Sequence, residues 1–138
     1  MNFFTADFDD IRSGKITDVY FARTHKILEA EGLCKRVRAE FMFREHLSGW
    51  SVFCGLGEFL SLLEGLPLNV RAVPEGTVIR PFQPVIEIEG VYTDFDVLET
   101  PLLGCICQAS GIATKAARCK IAAGERQVIS FGARRMHP

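Results

Sequence analysis

Apolar and charged positions change period once along the chain. Val37-Arg38-Ala39-Glu40-Phe41 and Val85-Ile86-Glu87-Ile88-Glu89-Gly90-Val91 alternate residue by residue, the signature of half-buried strands. Shorter β-type runs occupy 50–54, 70–73 and 78–80, punctuated by Pro74-Glu75-Gly76-Thr77, Pro81 and Pro84, and the first strand extends to residue 43. After Asp94 the spacing becomes helical. Leu98, Leu102, Leu103, Ile106, Ala109, Ile112, Ala113, Ala116 and Cys119 form one broad face of mostly small residues, which predicts a helix over 98–123 with Pro101 and Gly104 as candidate breaks and Gly124 as its C-cap. Three shorter helices are expected upstream: 6–12 with Thr5 as N-cap, 18–31 with Asp18 as N-cap and Gly32 as its end, and 57–64 before Gly65 and Pro67. Val128-Ile129-Ser130-Phe131 reads as a last short strand opening into a loop with a glycine, two arginines and a histidine.

The expected fold class is an α+β N-terminal domain, an antiparallel sheet with helices and a small β subdomain, over residues 1–97. A connecting helical region covers 98–124, and 125–138 reads as a strand and loop that open a second domain. Strand ends of α/β proteins are where sites are built, because a rigid sheet positions the loop that follows.

Composition narrows the class. A length of 138 residues, 48% hydrophobic and 24% charged, fits a globular protein with a real core. A net charge of −1 lacks the cationic field of a nucleic-acid or membrane-surface binder. No uninterrupted apolar run approaches the ~18 residues of a spanning helix, and Asp7, Asp9 and Asp10 rule out a cationic leader at the N-terminus. The expectation is a soluble, cytoplasmic protein. Cys34, Cys54, Cys105, Cys107 and Cys119 show no framework spacing, and Cys105 and Cys107 diverge at helical pitch, so they read as small apolar residues rather than a metal or redox site. The Gly55-x-Gly57 pair lacks the third glycine and the βαβ setting of a dinucleotide fingerprint and reads as a tight turn.

Three stretches in order carry a family resemblance. Thr17-Asp18-Val19-Tyr20 resembles the T-D-x-Y near the N-terminus of nicotinate phosphoribosyltransferases. Ser110-Gly111-Ile112-Ala113-Thr114 resembles the S-G-I-A-T helix shared with quinolinate phosphoribosyltransferases. Phe131-Gly132-Ala133-Arg134-Arg135-Met136-His137-Pro138 resembles the F-G-x-R-R-x-H-P segment after the first barrel strand. The landmarks match about the first third of a family enzyme, and the resemblance implies that 125–138 is the first strand and loop of an α/β barrel-like domain.

The resemblance implies transfer of a phosphoribosyl group from 5-phosphoribosyl 1-diphosphate to nicotinate, giving nicotinate mononucleotide, with this chain supplying part of the site. It implies Tyr20 and Phe131 as aromatic clamps on the two faces of the pyridine ring, with Asp18 and Gly132 beside them. Arg134 then holds the base carboxylate or a phosphate, and Arg135 and His137 orient ribose or phosphate oxygens. Arg23 and His25 are further candidates for approaching a phosphate. The implied cofactor is Mg²⁺, its ligands outside this chain, with ATP as an additional candidate. The implied assembly is a homodimer or higher oligomer in which the D-x-Y helix serves the neighbour's barrel mouth, or a separate chain carrying the rest of the barrel. Quinolinate transferases carry E-R at the start of the S-G-I-A-T helix, where this chain has Glu99-Thr100. That departure favours a base with one carboxylate, although quinolinate and nicotinamide stay as alternatives, as does a non-catalytic N-terminal domain or subunit.

Overall fold

In the computed structural model the described residues are 6–44 and 49–132. The alternating segments form a three-stranded antiparallel sheet in which β5 (Pro84–Val91) lies between β1 (Arg36–Met42) and β3 (Asn69–Ala72). Register follows the alternation. Phe41 and Ala72 flank Ile86, and Ala39 and Val70 flank Ile88, on the inner face. On the outer face Glu89 lies between Arg38 and Asn69, and Glu87 between Glu40 and Arg71. The outer charges make exposed pairs, Arg36–Glu89 at 3.1 Å and Arg71–Glu87 at 3.8 Å, each worth roughly 0–1 kcal/mol.

The inner face carries the core. α3 (Leu56–Leu63) buries Phe59, Leu62 and Leu63, and Phe59 meets Phe41 edge to face at 5.1 Å between ring centroids. α1 (Phe8–Arg12) adds Ile11. It is tied down by Arg12 Nη2 donating to the Glu64 carbonyl at 2.7 Å, where a cation suits the carbonyl-rich end of α3. Its N-cap is Asp7, whose carboxylate accepts from the Asp9 amide. The expected cap Thr5 lies outside the described residues.

After β5 the chain makes two 3₁₀ turns, Tyr92–Asp94 and Asp96–Leu98, and enters α4 (Glu99–Ala123). This 25-residue helix is unbroken. Pro101 sits in its first turn, where the missing N–H had no intrahelical partner to lose, and Gly104 is accommodated in the interior. α4 is long and apolar enough to cross a membrane, but it packs as a core helix, with Leu102 and Ile106 in the same cluster as Phe59 and Ile86.

The run expected as a strand over 50–54 narrows to β2 (Ser51–Val52), paired with β4 (Val78–Ile79). Its outer edge is closed by α4. Thr114 Oγ1 accepts from the Val52 amide at 2.8 Å. Ser110 Oγ accepts from the Cys54 amide at 2.9 Å and donates to the Cys54 carbonyl at 3.0 Å. Arg118 Nη2 donates to the Trp50 carbonyl at 2.8 Å, its guanidinium 5.0 Å from the centre of the Trp50 ring. Alternate strand residues repeat every ~6.6 Å and every fourth helix residue every ~6.0 Å, so the two rows stay in step.

The expected strand over 128–131 is not formed. Residues 127–132 carry no strand assignment, and Val128, Ile129 and Phe131 are exposed. A strand requires a partner ladder, and no described segment lies beside this one to supply it.

Candidate functional site

α2 (Val19–Ala30) buries only Phe21 and is fastened to the start of α4 by polar groups at two levels. At the first level Asp18 stands at the N-cap of α2, but its side chain makes no cap bond. Instead its carboxylate Oδ2 accepts from Thr100 Oγ1 at 2.9 Å and from the Tyr20 hydroxyl at 3.2 Å. The Asp18 amide donates back to Thr100 Oγ1 at 3.2 Å, and the Thr17 hydroxyl does so at 3.4 Å. At the second level His25 Nδ1 lies 2.8 and 3.0 Å from the two carboxylate oxygens of fully buried Asp96. His25 Nδ1 is therefore engaged in fixing the helix.

Tyr20 remains 57% exposed. It leans on Phe21, centroids 4.4 Å apart and planes tilted 45°, and presents its outer face to solvent. Partial burial, the Asp18 hydrogen bond and the charges of Asp18 and Glu99 all hold its hydroxyl above the usual phenol range. Next to Thr100, Glu99 is pushed up by burial. Glu99 lines a cleft of about 270 Å³ with Glu40, Arg44, Phe95 and Leu103.

Of the residues singled out from sequence, the structure thus brings Asp18 and Tyr20 together. It does not bring Phe131 and Gly132 to them. Those two follow the far end of α4, and a 25-residue helix is roughly 37 Å long at ~1.5 Å per residue. Gly132 donates its amide to Ser130 Oγ at 3.3 Å, and Phe131 is 89% exposed. Arg134, Arg135 and His137 lie outside the described residues.

Ser110 and Thr114, the first and last residues of the S-G-I-A-T stretch, point into the fold as the edge bonds of β2. The tight-turn reading of Gly55 holds. Gly55 has φ 100°, and the backbone amides of Gly55 and Leu56 both donate to Glu75 Oε1 at 2.6 Å. The start of α3 is thus filled by the chain's own carboxylate. Sequence reasoning took Thr100 only as the departure from E-R beside Glu99, and it missed Asp96 and Glu75. Among the described residues no group of three or more His, Cys, Asp or Glu side chains converges to hold a metal.

The model of the quinolinate phosphoribosyltransferase N-terminal domain family matches residues 18–110, from Asp18 to Ser110. In sequence the chain is 39% identical over 79 residues to human nicotinate phosphoribosyltransferase, covering 56% of this chain and 15% of that protein. It is 43% identical over 89 residues to a nicotinate phosphoribosyltransferase of Mycobacterium tuberculosis, covering 60% and 19%. The chain therefore spans less than a fifth of the length of these two relatives. In structure it is similar to nicotinate-nucleotide pyrophosphorylase from Pyrococcus furiosus, with a TM-score of 0.91 and 51% identity over 100% of this chain and 36% of that one. Human nicotinic acid phosphoribosyltransferase matches at a TM-score of 0.67 and 26% identity over 81% and 29%. With the match running through the Asp18–Thr100 network and on to the β2 latch, the chain belongs to the quinolinate phosphoribosyltransferase N-terminal domain family.

Proposed function

We propose that this chain supplies part of the site of a phosphoribosyltransferase of pyridine nucleotide biosynthesis, transferring the phosphoribosyl group of 5-phosphoribosyl 1-diphosphate to nicotinate. The observation that carries this reading is the Tyr20 ring, exposed on its outer face and braced by Phe21 and Asp18 at the head of α4. A braced aromatic face offers buried area and stacking to a flat, electron-poor heterocycle. The nitrogen of that ring attacks C1 of the ribosyl donor as diphosphate leaves. The role of the protein is to hold the ring in line and to stabilise the charge of the leaving group.

Nicotinate is the base favoured over quinolinate. The Tyr20 hydroxyl donates to the carboxylate of Asp18, to which the Thr100 hydroxyl also donates, and Glu99 adds a second acid nearby. A second carboxylate on the base would be left unpaired there, at high desolvation cost. In this reading Arg134 pairs with the single base carboxylate, Arg135 and His137 orient phosphate or ribose oxygens, and Phe131 with Gly132 forms the opposite wall. The length of α4 separates Phe131 from Tyr20 of the same chain, so the clamp closes between two copies in a cytoplasmic homodimer. Mg²⁺, which would neutralise the diphosphate, finds no ligand cluster among the described residues.

A second reading, a non-catalytic subunit that pairs with a separate barrel chain, is favoured by the exposure of Val128, Ile129 and Phe131. Nicotinate titration of the intact protein tests the first. Tyr20→Ala is expected to weaken nicotinate binding by about 1–3 kcal/mol, the scale of a lost aromatic contact and its buried area. Unchanged affinity would reduce Tyr20 to a surface residue, and turnover of quinolinate in preference to nicotinate would overturn the choice of base.

A further inference from the structure

We propose that Thr100 is a positioning residue for Tyr20, acting through Asp18 to fix the angle at which the aromatic ring meets the base; this rests on the reading of Tyr20 given above. The Thr100 hydroxyl is saturated. Its one proton goes to Asp18 Oδ2 at 2.9 Å, and its two lone pairs face the Asp18 amide at 3.2 Å and the Thr17 hydroxyl at 3.4 Å. It has no capacity left for a ligand, so its effect on a bound base passes through its neighbours. Asp18 is the relay. Its carboxylate leaves the amides of its own helix unserved and bridges Thr100 on one side to the Tyr20 hydroxyl on the other.

Little else orients this end of α2. Val19 and Tyr20 are exposed, and Phe21 is the one buried residue of the helix. The contact with Phe21 sets where the ring rests, and the hydroxyl bond to Asp18 sets its rotation. Thr17, Asp18 and Tyr20 thus take their register from a single oxygen on α4, the helix that runs from this site into the core.

The test uses the two-tyrosine content of the chain. In a Tyr92→Phe background only Tyr20 titrates as a phenol, and its ionisation is followed by ultraviolet absorbance. Thr100→Val, which keeps the shape and removes the hydroxyl, is expected to lower the Tyr20 midpoint towards the ordinary phenol value, because the carboxylate that holds the proton drifts away. Thr100→Ser is expected to restore it. In the intact protein Thr100→Val is expected to raise the nicotinate KM roughly fivefold, as for one lost hydrogen bond, with Thr100→Ser again near the parent. A Tyr20 midpoint unchanged or raised in Thr100→Val, in a variant that melts like the parent, would overturn the proposal while leaving phosphoribosyl transfer intact. A lowered midpoint in a protein that turns over no pyridine base would uphold the linkage and sink the functional reading instead.

Discussion

At Gly55 the backbone takes φ 100°, and a Cβ there would collide with the carbonyl oxygen of Cys105 on α4. Both the conformation and the space exclude a side chain, so Gly55→Ala is expected to destabilise the fold by roughly 2–5 kcal/mol, read as a lower urea midpoint. Gly57, two residues on, has open space within 4 Å of where a methyl group would sit and lies inside α3, so Gly57→Ala is expected to stabilise by about 0.5–1 kcal/mol. The sequence shows two equivalent glycines; only the approach of α4 distinguishes them. Cys105 is a second residue decided by its surroundings. Burial, then the charge of Glu58, pushes its thiol up to about 11, so at neutral pH it stays protonated and unreactive. Iodoacetamide followed by peptide mass spectrometry at pH 8 should label exposed Cys34, Cys107 and Cys119 well before Cys105. Equal labelling would contradict the assigned environment.

Among the elements, the strands with clean alternation and the amphipathic α3 were legible in the sequence, because period reports which face is buried. The fate of β2 was not. Its central residues Ser51 and Val52 look like part of a longer strand, but its ladder is limited by the two-residue β4, and its other edge is held by the hydroxyl row of α4, a long-range partner invisible to local pattern. Ser110 and Thr114 interrupt the apolar stripe Leu102, Ile106, Ser110, Thr114 at intervals of four, all four being buried. Buried hydroxyls on an apolar stripe need partners, and that is the trace they leave in the sequence. Thr114→Val keeps the volume but strands the Val52 amide, and it is expected to cost about 1–3 kcal/mol. Hydrogen exchange should show the Val52 amide losing protection. Retained protection would mean that the Thr114 hydroxyl is not what shields this edge of β2. The last segment forms no strand among the described residues for the complementary reason: Val128 and Ile129 have β-branched side chains but no described ladder beside them, and propensity alone does not make a sheet.

At the scale of the molecule, the candidate site was half legible. Asp18 and Tyr20 could be named from their motif, but their dependence on Thr100 joins residues 82 positions apart, which only the fold brings together. The same corner gives the molecule a pH response. Burial raises Glu99 above its ordinary value of 4.5, so the folded state holds its proton more tightly than the unfolded chain. The resulting stabilisation is present below 4.5 and is lost as pH rises through the folded value. Glu99→Gln is therefore expected to raise the melting temperature at pH 7 and to change it little at pH 4; the reverse order would refute the assignment. The row of hydroxyls along α4 has a consequence of another kind. The amides and carbonyls of Trp50, Val52 and Cys54 that face α4 are the groups a visiting strand would use to template itself on β2. With a helix seated there in matching step, that side of the sheet is sealed against recruitment by other chains. Threonine and serine at 114 and 110 act as gatekeepers against aggregation as well as fasteners, so alanine at both would be felt first as loss of solubility on heating.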